Sequence, residues 1–183
     1  MRPRRRCMRI YGAAIIACAV VCVGVLSVCV YPAQVAAAPG PSAEYSKADT
    51  DLLASLVNQE RGTSSVAPLE MDEGLCRVAL DHAVDMIARG YFGHSSPHGV
   101  TLSTRLRKAG IPFRKASENL AGNASVVLAH RMLMDSPSHK GSILNPEFKK
   151  MGLAVVRGGP YGMMIVEVFL TTAEKDAVSI SPR

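Results

Sequence analysis

The chain has 183 residues at 19.5 kDa, room for one compact domain beside a leader. Hydrophobic residues make up 48% and charged ones 20%, which excludes a chain disordered throughout. The net charge of +6 invites a nucleic-acid reading, but Arg2, Arg4, Arg5, Arg6 and Arg9 precede every acidic residue, leaving 16 of the 21 basic side chains against 15 acidic ones beyond residue 37. That body is nearly neutral, lacks a basic stripe interleaved with aromatics and has no Trp, so no nucleic-acid partner is expected.

Residues 1–9 are rich in arginine, and Ile10 to Val30 form an almost unbroken apolar run. Small residues follow at Val35-Ala36-Ala37-Ala38 before Pro39-Gly40-Pro41. A basic segment, an apolar segment and small residues at a cut site make residues 1–37 a secretory signal peptide, with cleavage after Ala37. The competing reading is an uncleaved N-terminal membrane anchor, since about 20 apolar residues span a bilayer. Either one exports the domain, and membrane contact is expected only through an uncleaved leader. Four of the five cysteines lie in this leader, so Cys76 has no intramolecular partner in the body. Within a helical pattern it reads as an inert core thiol.

Residues 38–46 read as a linker, 47–172 as the folded domain and 173–183 as a polar tail. Ser46 and Asp49 form a capping box ahead of apolar Leu52, Leu53, Leu56 and Val57, and Gly62 stops the first helix. Leu75, Val78, Ala79, His82, Ala83, Met86 and Ile87 share one face of a second helix, ended by Gly90. A short third helix spans Thr101 to Ala109 and stops at Gly110. A fourth, apolar nearly all round, runs from Ser125 to Asp135 and is broken by Pro137. Met151 to Val156, the turn Gly158-Gly159-Pro160-Tyr161 and Met163 to Thr171 read as a hairpin, with Arg114 to Leu120 a third strand. Helices on both faces of a small, mainly antiparallel sheet would hide every apolar face, giving an α+β fold arranged as an α-β-α sandwich.

Three segments outside the helices carry residues suited to a site: Tyr91 to Gly99, Ser117-Glu118-Asn119-Leu120-Ala121, and Ser136 to Pro146. With the opening Leu56-Val57-Asn58-Gln59-Glu60-Arg61 and the loop Phe92-Gly93-His94-Ser95, they match in order and spacing one known family. The sequence resembles the cysteine-rich secretory proteins, antigen five proteins and plant pathogenesis-related proteins, in their bacterial form, from Leu52 to Thr171. The resemblance implies a central cleft lined in many members by two histidines and two acids, able to hold a divalent cation. Carried over by motif, these are His94, His139 and Glu118. The second acid is replaced by Ser136, and an aromatic common three residues earlier by Leu133. The resemblance also implies a lipid or cell-envelope ligand, with no single activity common to all members.

Two imidazoles and one carboxylate are ligands for Zn²⁺ or a similar ion, and three protein ligands leave a position open for water. Against this stand hydrogen-bonded loop histidines and a Glu118 that satisfies backbone N–H groups or pairs with one histidine. His98 reads as a loop residue, His82 and His130 as satisfied core histidines, and Glu167 as a half-exposed sheet position rather than the missing acid. A serine nucleophile at Ser95, Ser136 or Ser138 lacks a strained elbow, and Ser136 and Ser138 read instead as caps of the turn carrying His139. Three functions result: a binding module taking a divalent ion and a lipid or cell-wall ligand, favoured over a metal-dependent hydrolase, and a structural envelope protein.

Overall fold

The structure, a computed structural model, describes residues 43–173. The leader, most of the linker and nearly all of the polar tail therefore lie outside the described residues. Among these residues no helix is long and apolar enough to cross a membrane.

A two-residue strand β1 (Glu44–Tyr45) leads into helix α1 (Lys47–Thr63). The stretch read as a linker thus ends in a strand that pairs with the central sheet. Ser46 caps α1 by accepting from the Asp49 N–H, as the capping box requires. Strand β2 (Glu70–Met71) precedes α2 (Glu73–Arg89), whose C-terminus closes on Gly90 at φ 66°, a left-handed position that favours glycine. Helix α3 (Leu102–Lys108) follows Thr101, which accepts from the Thr104 N–H. After β3 (Lys115–Gly122), Ser125 caps α4 (Val126–Asp135) in the same way.

Pro137 ends α4 and also begins a further helix, α5 (Pro137–Ile143). Proline suits the first helical position, where its missing N–H would have had no partner. Strands β4 (Lys150–Arg157) and β5 (Met163–Thr171) follow as an antiparallel hairpin.

The sheet runs β1-β4-β5-β3, with β2 pairing β4 in parallel and all other pairs antiparallel. Among the described residues β3 pairs only with β5 and forms one edge. One face of the sheet, with Leu153, Ile165 and Phe169, packs against α1, α4 and α5 through Leu53, Val57, Ala129, Leu133 and Ile143. The opposite face, with Ala154, Val166 and Val168, packs against α2 and α3 through Leu75, Ala79, Ala83 and Leu106. Two helical layers around one sheet are the α-β-α sandwich expected. A glycine is required at Gly152, because a Cβ there would overlap the Leu75 backbone where α2 lies on β4.

Two polar side chains fix the outer frame. Asn58 donates to Leu69 O and accepts from the Leu69 N–H, joining α1 to the entry of β2. Arg61 is wholly buried, without an acidic partner among the described residues; its guanidinium donates to the carbonyls of Ala67, Ile143, Asn145 and Phe148. It thereby ties α1 to the end of α5 and the approach to β4.

Candidate functional site

Glu118 stands in β3 with its side chain on the α2–α3 side, alternate to the wholly buried face that carries Glu167. Its Oε2 accepts from Arg105 Nη2 of α3 at 2.5 Å, and its Oε1 accepts from His94 Nδ1 at 3.0 Å. Both carboxylate oxygens are thus engaged, one by a guanidinium. His94 is mostly exposed, whereas Glu118 and Arg105 are largely buried.

The loop carrying His94 is held from two sides. Arg105 Nη1 donates to His94 O and to Val100 O, both at 3.3 Å. Behind it, His82 of α2 is buried and its Nε2 donates to Gly93 O at 3.1 Å, while Glu118 Oε1 lies 3.8 Å away. Burial lowers the His82 pKa, with Glu118 opposing the shift in part. His82 is therefore the satisfied core histidine expected, and it also secures the site loop. The neighbouring Tyr91 hydroxyl donates to Asp85 at 2.6 Å, and burial followed by this bond pushes its pKa up to about 12.

His139 is brought to the same strand but into a different hollow. Ser117 Oγ meets Ser142 Oγ at 2.7 Å, and Asn119 Nδ2 donates to His139 O at 3.2 Å, so β3 holds α5 along its length. His94 and Glu118 line a hollow of about 350 Å³ with Ser95, Thr101 and Ser117. His139 and Ser136 line a second of about 320 Å³, otherwise mostly apolar: Phe92, Leu120, Met132, Leu133 and Tyr161. The edges of Phe92 and Tyr161 meet with centroids 5.5 Å apart at its rim.

The expected metal set of His94, Glu118 and His139 is not assembled. Among the described residues no three His, Cys, Asp or Glu side chains form a group able to hold a metal ion. The one carboxylate carried over is already paired with Arg105, whose charge opposes a second cation in the same place. These residues do not fit a divalent ion.

Other expectations are corrected by burial. Glu167 is wholly buried, not half-exposed, because β5 is an inner strand covered on both faces. Its Oε2 accepts from Asn119 Nδ2 at 2.9 Å, its Oε1 has no partner among the described residues, and desolvation raises its pKa to about 7. It does not line the cleft and does not replace the missing acid. Among the described residues His130 is buried with both ring nitrogens unpartnered, unlike the satisfied histidine expected; burial lowers its pKa. Ser136 occupies the cap position of α5 by its backbone alone, its hydroxyl exchanging instead with Ser138 at 3.2 Å. Among the described residues no serine hydroxyl is bonded to a histidine ring, so no nucleophile pair is formed. His98 is exposed beyond Arg105, in a separate hollow with Asp81 and Asp85. Cys76 is half-buried and its thiol is pushed up by that burial, in keeping with an inert residue.

Sequence reasoning missed Arg105 and Asn119. Asn119 lay inside a quoted motif, but nothing in the local pattern of α3 pairs Arg105 with Glu118, 13 residues away.

The match to known proteins agrees with this architecture. The profile of the Cysteine-rich secretory protein family covers residues 54–171. The Bacillus subtilis protein YkwD is 33% identical over 105 residues, 57% of this chain and 41% of YkwD. Among solved structures, an extracellular protein containing an SCP domain from Bacillus anthracis superposes with a TM-score of 0.62 at 28% identity, over 68% of this chain and 41% of that one. An outer surface protein of Borrelia burgdorferi gives 0.68 at 23% identity, over 73% and 99%, and shows the fold alone. The chain spans about two fifths of YkwD and of the B. anthracis protein. On a match over most of its described length, with bacterial relatives of the same sandwich, the chain belongs to the cysteine-rich secretory protein, or CAP, family.

Proposed function

We propose that this is an exported recognition domain whose cleft along β3 binds a small ligand of the cell envelope, lipid or wall component, without turning it over. The observation that carries this reading is the engagement of Glu118 by Arg105 and His94 beside two open hollows. A carboxylate held in two such bonds positions a loop; a general base needs an oxygen within reach of the proton it takes. The neighbouring hollow, apolar with a single imidazole and a serine hydroxyl, has the make-up of a binding site. Export is supported by the pattern of residues 1–37 and by the extracellular description of the B. anthracis relative.

Two-dimensional NMR with a fatty acid, a lysophospholipid and soluble peptidoglycan fragments, beside p-nitrophenyl ester assays, tests the reading. Saturable shifts at Phe92, Leu120 to Gly122, His139 and Tyr161 without ester turnover are expected. Turnover abolished by His94→Ala would establish the hydrolase instead. Absence of shifts with every probe would leave a structural envelope protein.

A further inference from the structure

The outer edge of β3 carries an unmet pattern of backbone hydrogen bonds. Gly122 is opposite Met164 in the register, and one step further Asn123 N–H donates to Met163 O. In an antiparallel ladder the residues bonded to the partner alternate with those turned away. Lys115, Ser117, Asn119 and Ala121 therefore face β5, and the N–H and C=O groups of Ala116, Glu118, Leu120 and Gly122 point outward. Among the described residues none of these outward groups has a partner.

These residues do not lie on open surface. Glu118 is 9% exposed and Leu120 6%, with half-buried Ala116 lining the first hollow and half-buried Gly122 the second. Polar backbone at such depth is normally satisfied. The strand also lacks the usual guards of a free edge. It contains no proline, its register with β5 is unbroken, and Glu118, its one charged side chain beyond Lys115, is drawn inward to Arg105. The edge is recessed, unpaired and undefended.

We infer that β3 takes an extended peptide by strand addition, with an apolar side chain of that peptide seated in the Met132–Leu133–Tyr161 hollow. The inference rests on the reading of this cleft as a recognition site, and gives it an extended peptide in place of a lipid or a glycan. Donors and acceptors alternating along a strand, repeating at about 6.6–6.8 Å for every second residue, match another extended backbone and not an acyl chain or a sugar. Side chains on an added strand alternate between the faces, and two mainly apolar hollows stand in sequence along β3, one at Leu102, Phe113 and Ala116 and the other at Leu120, Leu133 and Tyr161. Met132 is 57% exposed at the second hollow, a large apolar side chain that such a peptide would cover.

The test is a library of blocked heptapeptides alternating threonine with Val, Leu, Phe or Tyr, titrated into the full chain by calorimetry. The best member is then N-methylated at each amide in turn. Strand addition predicts saturable binding that weakens about tenfold when alternate amides are methylated and little when the intervening ones are. Ala116→Pro removes one outward N–H at a position where an edge strand tolerates proline, and should weaken binding similarly with an unchanged melting temperature. Met132→Lys, on an exposed position, should weaken peptides with a large apolar residue most. Failure of every peptide to bind, or binding indifferent to the pattern of methylation, would overturn the inference. Were the lysophospholipid to shift Leu120 and His139 while no peptide did, the peptide would be wrong and the recognition cleft would stand. If neither probe bound, both would fall.

Discussion

Glu118 and Glu167 are two buried glutamates on adjacent strands, and they differ in what surrounds them. Glu118 has a guanidinium and an imidazole on its oxygens. Glu167 has one amide N–H and an oxygen with no partner. The first lies beside a hollow and organises a loop; the second lies under α4 and α5 with a raised pKa. The carboxylate that lines a hollow has a cation beside it, and the enclosed one does not. That contrast marks which acid belongs to the site more reliably than position along a strand does.

Removing the cation should have the largest effect. Arg105→Met leaves Glu118 buried beside the His94 and His82 rings without a guanidinium and should cost about 3–5 kcal/mol in urea unfolding. The double variant Arg105→Met with Glu118→Leu should recover most of that loss, because no charge is then left stranded. An equal loss in both would mean that Arg105 acts through its contacts with His94 O and Val100 O.

For Glu167 the prediction concerns pH. Its pKa is raised from the ordinary value of 4.5 to about 7, so between these limits the folded protein holds a proton that the unfolded chain has released. Stability contributed by this group is full below pH 4.5, falls as pH rises to 7 and is flat above, a span of roughly 3 kcal/mol. Glu167→Gln should flatten that part of the profile and raise the melting temperature at pH 8. A profile identical to that of the parent would show that Glu167 is not the titrating group.

Asn119 joins the two regions, since it neighbours Glu118 in β3 and donates both to Glu167 and to His139 O. Asn119→Ala should cost about 1–3 kcal/mol and move the Glu167 transition further up, because the carboxylate loses its one donor. The smallest effect belongs to His94→Ala. Its ring is mostly exposed, so stability should change by under about 1 kcal/mol, while ligand shifts at the cleft are weakened.

The elements most legible in the sequence were those with local chemistry at their ends. Ser46, Thr101 and Ser125 cap helices where their side chains reach back to the third residue, and Gly90 takes the left-handed closing position. The β4–β5 hairpin followed from two apolar runs around a glycine-rich turn. Helix α5 was not legible because Pro137 breaks one helix and starts the next, and only the latter role needs the fold. Glu167 was misread because alternation on a strand does not tell whether the second face is covered. The buried clamp of Arg61 and the pairing of Arg105 with Glu118 depend on elements distant in sequence, for which no spacing rule exists. His94, Glu118 and His139 were recognisable as cleft residues through the family resemblance. Their division between two hollows was not.

The account turns on Glu118 being held by Arg105 for recognition rather than presented to a cation. Calorimetric titration of Zn²⁺ into the full chain, beside His94→Ala, Glu118→Ala and His139→Ala, tests this most directly. The prediction is no saturable heat that depends on Glu118. One-to-one binding lost in all three variants would contradict it and would place a metal centre where the structure puts an ion pair.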